Sequence, residues 1–95
     1  MRLSEFQIES IRNSVNNNIS NYELRLFGSR VDDNKKGGDI DLLLLTKEKI
    51  ESERKRRILR EIKNLIGEQK IDLVNFTFDE ESNFKEIAME ESIIL

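Results

Sequence analysis

The sequence contains no cysteine and no histidine, and these two absences exclude much of the chemistry that enzymes use. Without cysteine there is no disulfide, no thiolate nucleophile and no cysteine-based zinc site, which suits a reducing compartment. Without histidine, Ser-His hydrolysis, zinc chemistry of the HExxH type and imidazole acid-base catalysis are impossible. Any chemistry must therefore use carboxylates, Lys, Arg, Ser, Tyr or a hard metal ion, of which magnesium and manganese suit oxygen ligands best.

Proline, linkers, low-complexity stretches and internal repeats are missing as well. The 95 residues, 37% of them hydrophobic, predict a single domain over residues 1–95. Lys and Arg number 16 against 19 Asp and Glu, so at a net charge of −3 we expect no direct nucleic-acid partner. There is neither a signal-peptide pattern nor an apolar run near the ~18 residues of a spanning helix, which predicts a cytoplasmic protein with no membrane partner.

Hydrophobic periodicity predicts a small α/β (α+β) domain in which helices flank a mixed sheet. The expected elements are a helix over 4–17, a strand over 22–27, a helical turn over 30–33, a strand over 39–45, a long helix from 46 to Gly67, a strand over 71–76 and a helix near 84–88. Ser4, Ser29 and Thr46 are the expected N-caps of the first helix, the turn and the long helix. The residues expected to face inward from the long helix are Ile50, Ile58, Leu59, Ile62, Leu65 and Ile66.

The most informative motif is Asp-Ile-Asp at the start of the second predicted strand. Residues two apart on a strand point to the same side, so Asp39 and Asp41 project together while Ile40, Leu42 and Leu44 face a core. Two carboxylates on one side of a mostly leucine strand need a cation. The motif therefore predicts a metal site.

Two further features complete the predicted site. Gly28 and Ser29 end the first strand in a turn whose backbone a phosphate can approach closely. Asp72 lies in the third strand and, if that strand neighbours the second, reaches Asp39 and Asp41 as proton acceptor or metal ligand. This constellation indicates metal-assisted chemistry on a nucleoside triphosphate.

The runs Leu-Phe-Gly-Ser-Arg at 26–30 and Gly-Asp-Ile-Asp-Leu at 38–42 resemble the signature of polymerase-beta-type nucleotidyltransferases. Their wording and the short chain are most similar to the minimal nucleotidyltransferases (MNT), which are the antitoxin halves of HEPN/MNT toxin-antitoxin pairs. The resemblance spans residues 22–76. It implies a polymerase-beta-like fold in which Gly28 and Ser29 hold the triphosphate and Asp39 and Asp41 bind Mg²⁺, with Asp72 as the third acid.

The same resemblance implies transfer of AMP from ATP to a tyrosine hydroxyl of a HEPN RNase, which the modification silences. A rival interpretation is an antitoxin that neutralises a HEPN toxin by binding alone. Transfer to an antibiotic or an RNA end is disfavoured, because no acceptor pocket fits into so short a chain. Arg30 is a candidate phosphate or partner contact, or simply an exposed arginine of the turn.

Several features remain open on sequence grounds. Lys35 and Lys36 either attract a triphosphate or belong to a solvated loop, which is favoured. The basic run Arg54 to Arg57 with Arg60 reads as a solvent face whose charges pair with Glu51, Glu53 and Glu61, in preference to an RNA or partner surface. Tyr22 is expected in the core. The apolar residues 93–95 either dock on the sheet or form an interface.

Overall fold

The structure, a computed structural model, describes residues 1–34 and 38–95. Its elements are α1 (Glu5–Asn16), β1 (Tyr22–Phe27), a 3-10 turn (Gly28–Val31), β2 (Ile40–Thr46), α2 (Ser52–Ile66), β3 (Ile71–Thr77), α3 (Asn83–Glu90) and β4 (Ile93–Ile94). The predicted α/β class and the predicted order of elements are confirmed, and β4 is an addition. Lys35, Lys36 and the rest of the predicted loop's centre lie outside the described residues.

The four strands form one mixed sheet in the order β3-β2-β1-β4. β1 runs antiparallel to β2 and to β4, whereas β2 and β3 are parallel and are connected by α2. A parallel connection needs such a crossover, and the helix provides it. β2 is therefore a central strand, as its run of leucines predicts.

The two faces of β2 are both buried, but by different helices. Ile40, Leu42 and Leu44 pack into the main core, which α1 and α2 cover on one face of the sheet. Leu43 and Leu45 belong to a smaller core with Ala88 of α3 on the other face. Because α3 is short, it leaves the beginning of β2 on this second face uncovered by helix, and that is where Asp41 lies.

The first helix begins as its sequence predicts. The Ser4 hydroxyl accepts a hydrogen bond from the Gln7 N–H, and the Gln7 side chain accepts one from the Ser4 N–H, which is a complete capping box. Ile11 and Val15 of the predicted apolar stripe are fully buried. Tyr22 packs against the same core, while its hydroxyl donates to Asn16.

The long helix begins later than predicted, and Thr46 does not cap it. Thr46 ends β2, paired with Thr77 of β3, and its hydroxyl donates to the Glu48 carbonyl. The connection to α2 is held by Asn75, whose side chain accepts from the Ile50 N–H and donates to the Leu44 carbonyl. Thr is a β-branched residue that suits a strand, and the pairing with Thr77 keeps Thr46 in β2.

Three smaller expectations also need correction. The turn after β1 starts at Gly28 and has no side-chain cap, so Ser29 is inside it and does not cap it. Leu65 is 50% exposed, although Ile58 and Ile62 are fully buried, because the stripe facing the sheet is narrower than the apolar pattern. Residues Ile93–Ile94 pair with β1, and Leu95 packs against the main core. The C-terminal apolar residues therefore dock on the sheet.

Two surface expectations have clear outcomes. Arg54 pairs with Glu51 and Arg57 with Glu53, each at 3.6 Å, so the basic run on α2 is a solvent face with intrahelical pairs, as predicted. Glu61 instead accepts a hydrogen bond from Asn18, in the loop between α1 and β1. Within residues 1–34 and 38–95, no helix is both long and apolar enough to cross a lipid bilayer.

Candidate active site

The residues of the predicted site lie in one row across three neighbouring strands. Phe27, the last residue of β1, is paired with Asp41 of β2, and Asp41 is paired with Asp72 of β3. Directly paired residues project to the same side of a sheet. The row is therefore the Gly28 turn, then Asp41, then Asp72, all on the face that α3 only partly covers.

Asp41 is the electrostatic centre of this row. Partial burial is the main cause that raises the pKa of its carboxyl group, and repulsion from Asp72 and then Asp39 adds to it. Lys70 acts in the opposite direction, and a side-chain hydrogen bond with Asp72 raises the pKa further. Burial and two neighbouring carboxylates therefore both disfavour the charged form of Asp41, an arrangement that also occurs at functional sites.

Asp39 stands slightly apart from the pair. It precedes β2, and its carboxylate forms an ion pair with Lys70 at 3.3 Å. The Lys70 side chain is 72% exposed, so solvent screens the pair and it stabilises the fold little. A ligand with higher positive charge can displace such a partner at small cost.

Gly28 and Gly38 each lie so close to another side chain that a Cβ at either position would clash with it. Gly28 has a φ of +77°, and a Cβ there would lie 2.3 Å from the Asp41 carboxylate oxygen Oδ2. Gly38 has a φ of +90°, and a Cβ there would lie 2.3 Å from the Ser29 hydroxyl. At both positions the glycine backbone thus lies against a side chain of the candidate site, and the positive φ favours glycine there.

Arg30 is half-buried, not exposed. Its guanidinium donates to the Gly38 carbonyl at 3.2 Å, to the Arg2 carbonyl at 3.0 Å and to the Gln69 side chain at 3.1 Å. It therefore ties the turn after β1 to the start of β2 and to the chain before β3. Phosphate contact by Arg30 remains a prediction beside this bracing role.

Sequence reasoning missed the aromatic side of the site. Phe84 of α3 packs edge-on against Phe27, with ring centroids 6.0 Å apart at 87°, which places it near the acids. Phe84 is 53% exposed all the same. Its sequence position marks only a helix, and no local signal could show that α3 folds back across β1.

Asp39, Asp41 and Asp72 have the oxygen ligands that divalent cations prefer, although they do not form a complete coordination shell. Among residues 1–34 and 38–95, no three acidic side chains are grouped closely enough to hold a metal ion. Asp41 and Asp72 are adjacent, however, and Asp39 is restrained only by a surface lysine. An all-oxygen donor set with uncompensated negative charge is what Mg²⁺ and Mn²⁺ bind.

Comparison with known proteins gives two findings. The model of the family described as Polymerase beta, Nucleotidyltransferase matches residues 9–95. A chain in the solved structure of the tri-AMPylated Shewanella oneidensis HEPN toxin in complex with MNT antitoxin superposes with a TM-score of 0.71 at 16% identity, covering 97% of this chain and 71% of that one. At this identity the likeness shows a shared fold. A comparison with curated proteins found no match.

Proposed function

Because this chain belongs to the Polymerase beta nucleotidyltransferase family, we propose that it is an enzyme that transfers AMP from ATP to a hydroxyl group with Mg²⁺ or Mn²⁺ as cofactor. The observation that carries the proposal is the row formed by the Gly28 turn, Asp41 and Asp72 on three neighbouring strands. In this proposal the Gly28 turn admits the phosphates, and the carboxylates beside it hold the cation. Both parts are necessary for nucleotidyl transfer.

Each residue has a distinct role in the proposed reaction. Gly28 and Ser29 hold the triphosphate against the backbone of their turn, as close approach and the absence of a Cβ permit. Asp39 and Asp41 hold the divalent ion. That ion, when bound, neutralises the polyphosphate and polarises the α-phosphorus.

The proposed reaction forms one bond to the α-phosphorus and breaks another. The acceptor hydroxyl oxygen forms a bond to the α-phosphorus while the bond between that phosphorus and the oxygen bridging to the β-phosphorus breaks. Pyrophosphate leaves with the electrons of the broken bond. The hydroxyl proton passes to a carboxylate oxygen of Asp72, which lies on the far side of Asp41 from the Gly28 turn.

The acceptor is proposed from the structural likeness. The solved structure described above contains a tri-AMPylated HEPN toxin together with an MNT antitoxin. By analogy, we expect this chain to modify a tyrosine of a HEPN toxin in the cytoplasm and so to act as its antitoxin.

A second candidate is an antitoxin that works by binding alone. Apolar side chains exposed on α3, among them Ile87, offer a contact surface.

Mass spectrometry of the modified partner separates the two candidates. A HEPN-domain toxin is incubated with this chain, with and without ATP and Mg²⁺, and weighed intact. We expect a gain of one or more AMP units with the wild type and none with Asp41→Asn. Asp79→Asn, which removes one charge from an exposed turn, should behave as wild type. Inhibition of the RNase without any mass gain would select the binding candidate.

A further inference from the structure

The segment before α1 is tied to the turn after β1 by hydrogen bonds that Arg2 makes. Its backbone N–H donates to the Arg30 carbonyl at 2.7 Å, and its guanidinium donates to the Ser29 carbonyl at 2.8 Å and to the Asp32 carbonyl at 2.9 Å. The Arg30 guanidinium in turn donates to the Arg2 carbonyl at 3.0 Å. A single residue therefore holds three carbonyls in and directly after the turn.

The residues that follow Arg2 are anchored in the body of the protein. Leu3 packs against the main core, and the capping box of Ser4 and Gln7 fixes the start of α1. The bonds of Arg2 thus connect the turn to a part of the fold that cannot move without losing core contacts. A guanidinium suits this connection, because its planar fork presents several N–H donors in fixed directions.

Holding these carbonyls also fixes backbone N–H groups of the turn. A peptide unit is planar and trans, so its C=O and N–H groups point in opposite directions and cannot rotate independently. The bond to the Ser29 carbonyl therefore orients the Arg30 N–H, and the bond to the Arg30 carbonyl orients the Val31 N–H. Arg2 thus sets the direction of two backbone donors in the turn that the proposed function assigns to the triphosphate.

The beginning of the turn is constrained from the other side, by the candidate site. Gly28 has a φ of +77° and lies directly against the Asp41 carboxylate. The turn is therefore held at its start by contact with β2 and at its end by Arg2. A turn that is ordered before its ligand arrives loses less conformational entropy on binding, so these contacts favour a preorganised phosphate site.

Resting on the proposed function, we propose that Arg2 is a positioning residue that holds the turn after β1 in the form that binds the polyphosphate of the nucleotide. Arg2 acts through the carbonyls of the turn and does not itself contact the nucleotide. It precedes residues 9–95, which the family model matches, so the motifs of the family do not include this role.

The first measurement needs no nucleotide. ¹⁵N relaxation is recorded by NMR on the ligand-free wild type and on Arg2→Gln. In the wild type we expect a rigid backbone over residues 29–32, with order parameters of about 0.85, and in Arg2→Gln a fall below about 0.6. The order parameters of α1 and β2 should not change. A turn that is as ordered in Arg2→Gln as in the wild type overturns the inference.

The second measurement is the affinity for nucleotide. Calorimetry with α,β-methylene-ATP and Mg²⁺ should give a Kd roughly 3- to 20-fold higher for Arg2→Gln, because a loosened turn must be ordered on binding. With a HEPN-domain toxin as acceptor, the KM for ATP should rise by a similar factor while kcat stays within about 2-fold of wild type. A simple loss of folded protein would instead lower kcat and leave KM unchanged.

Three variants separate positioning from charge and from stability. Arg12→Gln removes the same charge from the exposed side of α1, and Gly67→Ala strains a backbone position that has no atom within 4 Å of an added Cβ. Both should bind nucleotide as the wild type does. Arg2→Lys keeps the charge but replaces the fork by an ammonium group, so it should lose most of the affinity that Arg2→Gln loses. Wild-type affinity in Arg2→Lys would assign the effect to charge and overturn the positioning role.

The inference and the proposed function fail in different ways. An equal nucleotide Kd for the wild type and Arg2→Gln overturns the inference even if AMP is transferred to the toxin. Weaker nucleotide binding by Arg2→Gln, in a protein whose wild type transfers no AMP, supports the inference and overturns the proposed transferase. A wild type that binds no Mg²⁺-nucleotide overturns both.

Discussion

At the scale of single residues, the candidate site depends on a glycine, Gly28, which has no Cβ. Gly28 and Asp41 are far apart in the chain, but the antiparallel pairing of β1 with β2 brings them together. The Asp41 carboxylate occupies the space that a Cβ at position 28 would need. The glycine is required both for its positive φ and for this contact.

Gly28→Ala should abolish AMP transfer and destabilise the fold by about 1–3 kcal/mol, because it combines backbone strain with a clash against Asp41. The measurement is transfer from α-labelled ATP together with urea unfolding. Gly67→Ala is the matched control, since Gly67 has a φ of +90° but no atom within 4 Å of an added Cβ. It should lose stability and keep transfer; equal transfer in both variants contradicts the steric role.

Asp72→Asn should stabilise the metal-free protein at pH 7 by a few tenths to about 1 kcal/mol while abolishing transfer. It removes a like charge paired directly across from Asp41. Because Asp41 has a raised pKa, the folded state holds its proton more tightly, so this contribution to stability is lost as pH rises above the ordinary value of 3.8.

Urea unfolding in EDTA from pH 4 to pH 8 measures this effect. The wild-type free energy of unfolding should fall with pH more steeply than that of Asp72→Asn. Asp79→Asn removes the same charge elsewhere and should follow the wild-type curve. Parallel curves for all three proteins would show that the two carboxylates do not interact.

At the scale of elements, the connection from β2 to α2 is set by one side chain of β3. The Asn75 amide donates to the Leu44 carbonyl and to the Thr46 hydroxyl, both at 3.0 Å, and its oxygen accepts from the Ile50 N–H at 2.9 Å. These bonds fix where the strand stops and how the chain approaches the helix. They also hold β3 in register beside β2, where Asp72 meets Asp41.

Asn75→Ala should lower the free energy of unfolding by about 1–3 kcal/mol, because the hydrogen bonds of the side chain are lost and the Ile50 N–H is left without its partner. In chemical denaturation we expect the unfolding midpoint to fall while the m-value stays unchanged. Asn13→Ala on the exposed side of α1 serves as control and should change stability by less than about 0.5 kcal/mol. An equally small loss for Asn75→Ala would remove its assigned role.

At the scale of the whole molecule, the site exists because the sheet is covered unequally. α1 and α2 cover the main core on one face, whereas the smaller core beside α3 on the other face buries Leu43 and Leu45 of β2. The uncovered corner carries the acids and the turn. Asp41 lies close to two other carboxylates there, and under the proposed function a bound cation and polyphosphate would offset their repulsion.

Mg²⁺ together with ATP should therefore raise the melting temperature more than either does alone. At a ligand concentration 100 times the Kd, the expected stabilisation is about 2.7 kcal/mol. Differential scanning fluorimetry with NaCl of equal ionic strength as control measures it. Asp41→Asn should show no shift beyond the salt control, and a wild-type shift retained in that variant would place the nucleotide elsewhere.

Much of the molecule follows from local pattern. The alternation of apolar residues along β2, the stripe of α1 and the capping box at Ser4 each act over a few residues, so composition and spacing predict them. The site residues Gly28, Ser29, Asp39 and Asp41 could be nominated for the same reason, since two short motifs carry them. Asp72 required the further assumption that β3 neighbours β2, which the register confirms.

Other features were decided by contacts between distant segments. Thr46 could cap a helix or end a strand, and it ends the strand because it pairs with Thr77 of β3. Arg30 could be exposed to solvent or hydrogen-bonded within the protein, and in the structure it donates hydrogen bonds to the Arg2 and Gly38 carbonyls. The placing of Phe84 beside the acids depends on α3 crossing the sheet. Local sequence determines which elements form and which side chains can react, whereas only long-range packing decides which of them meet.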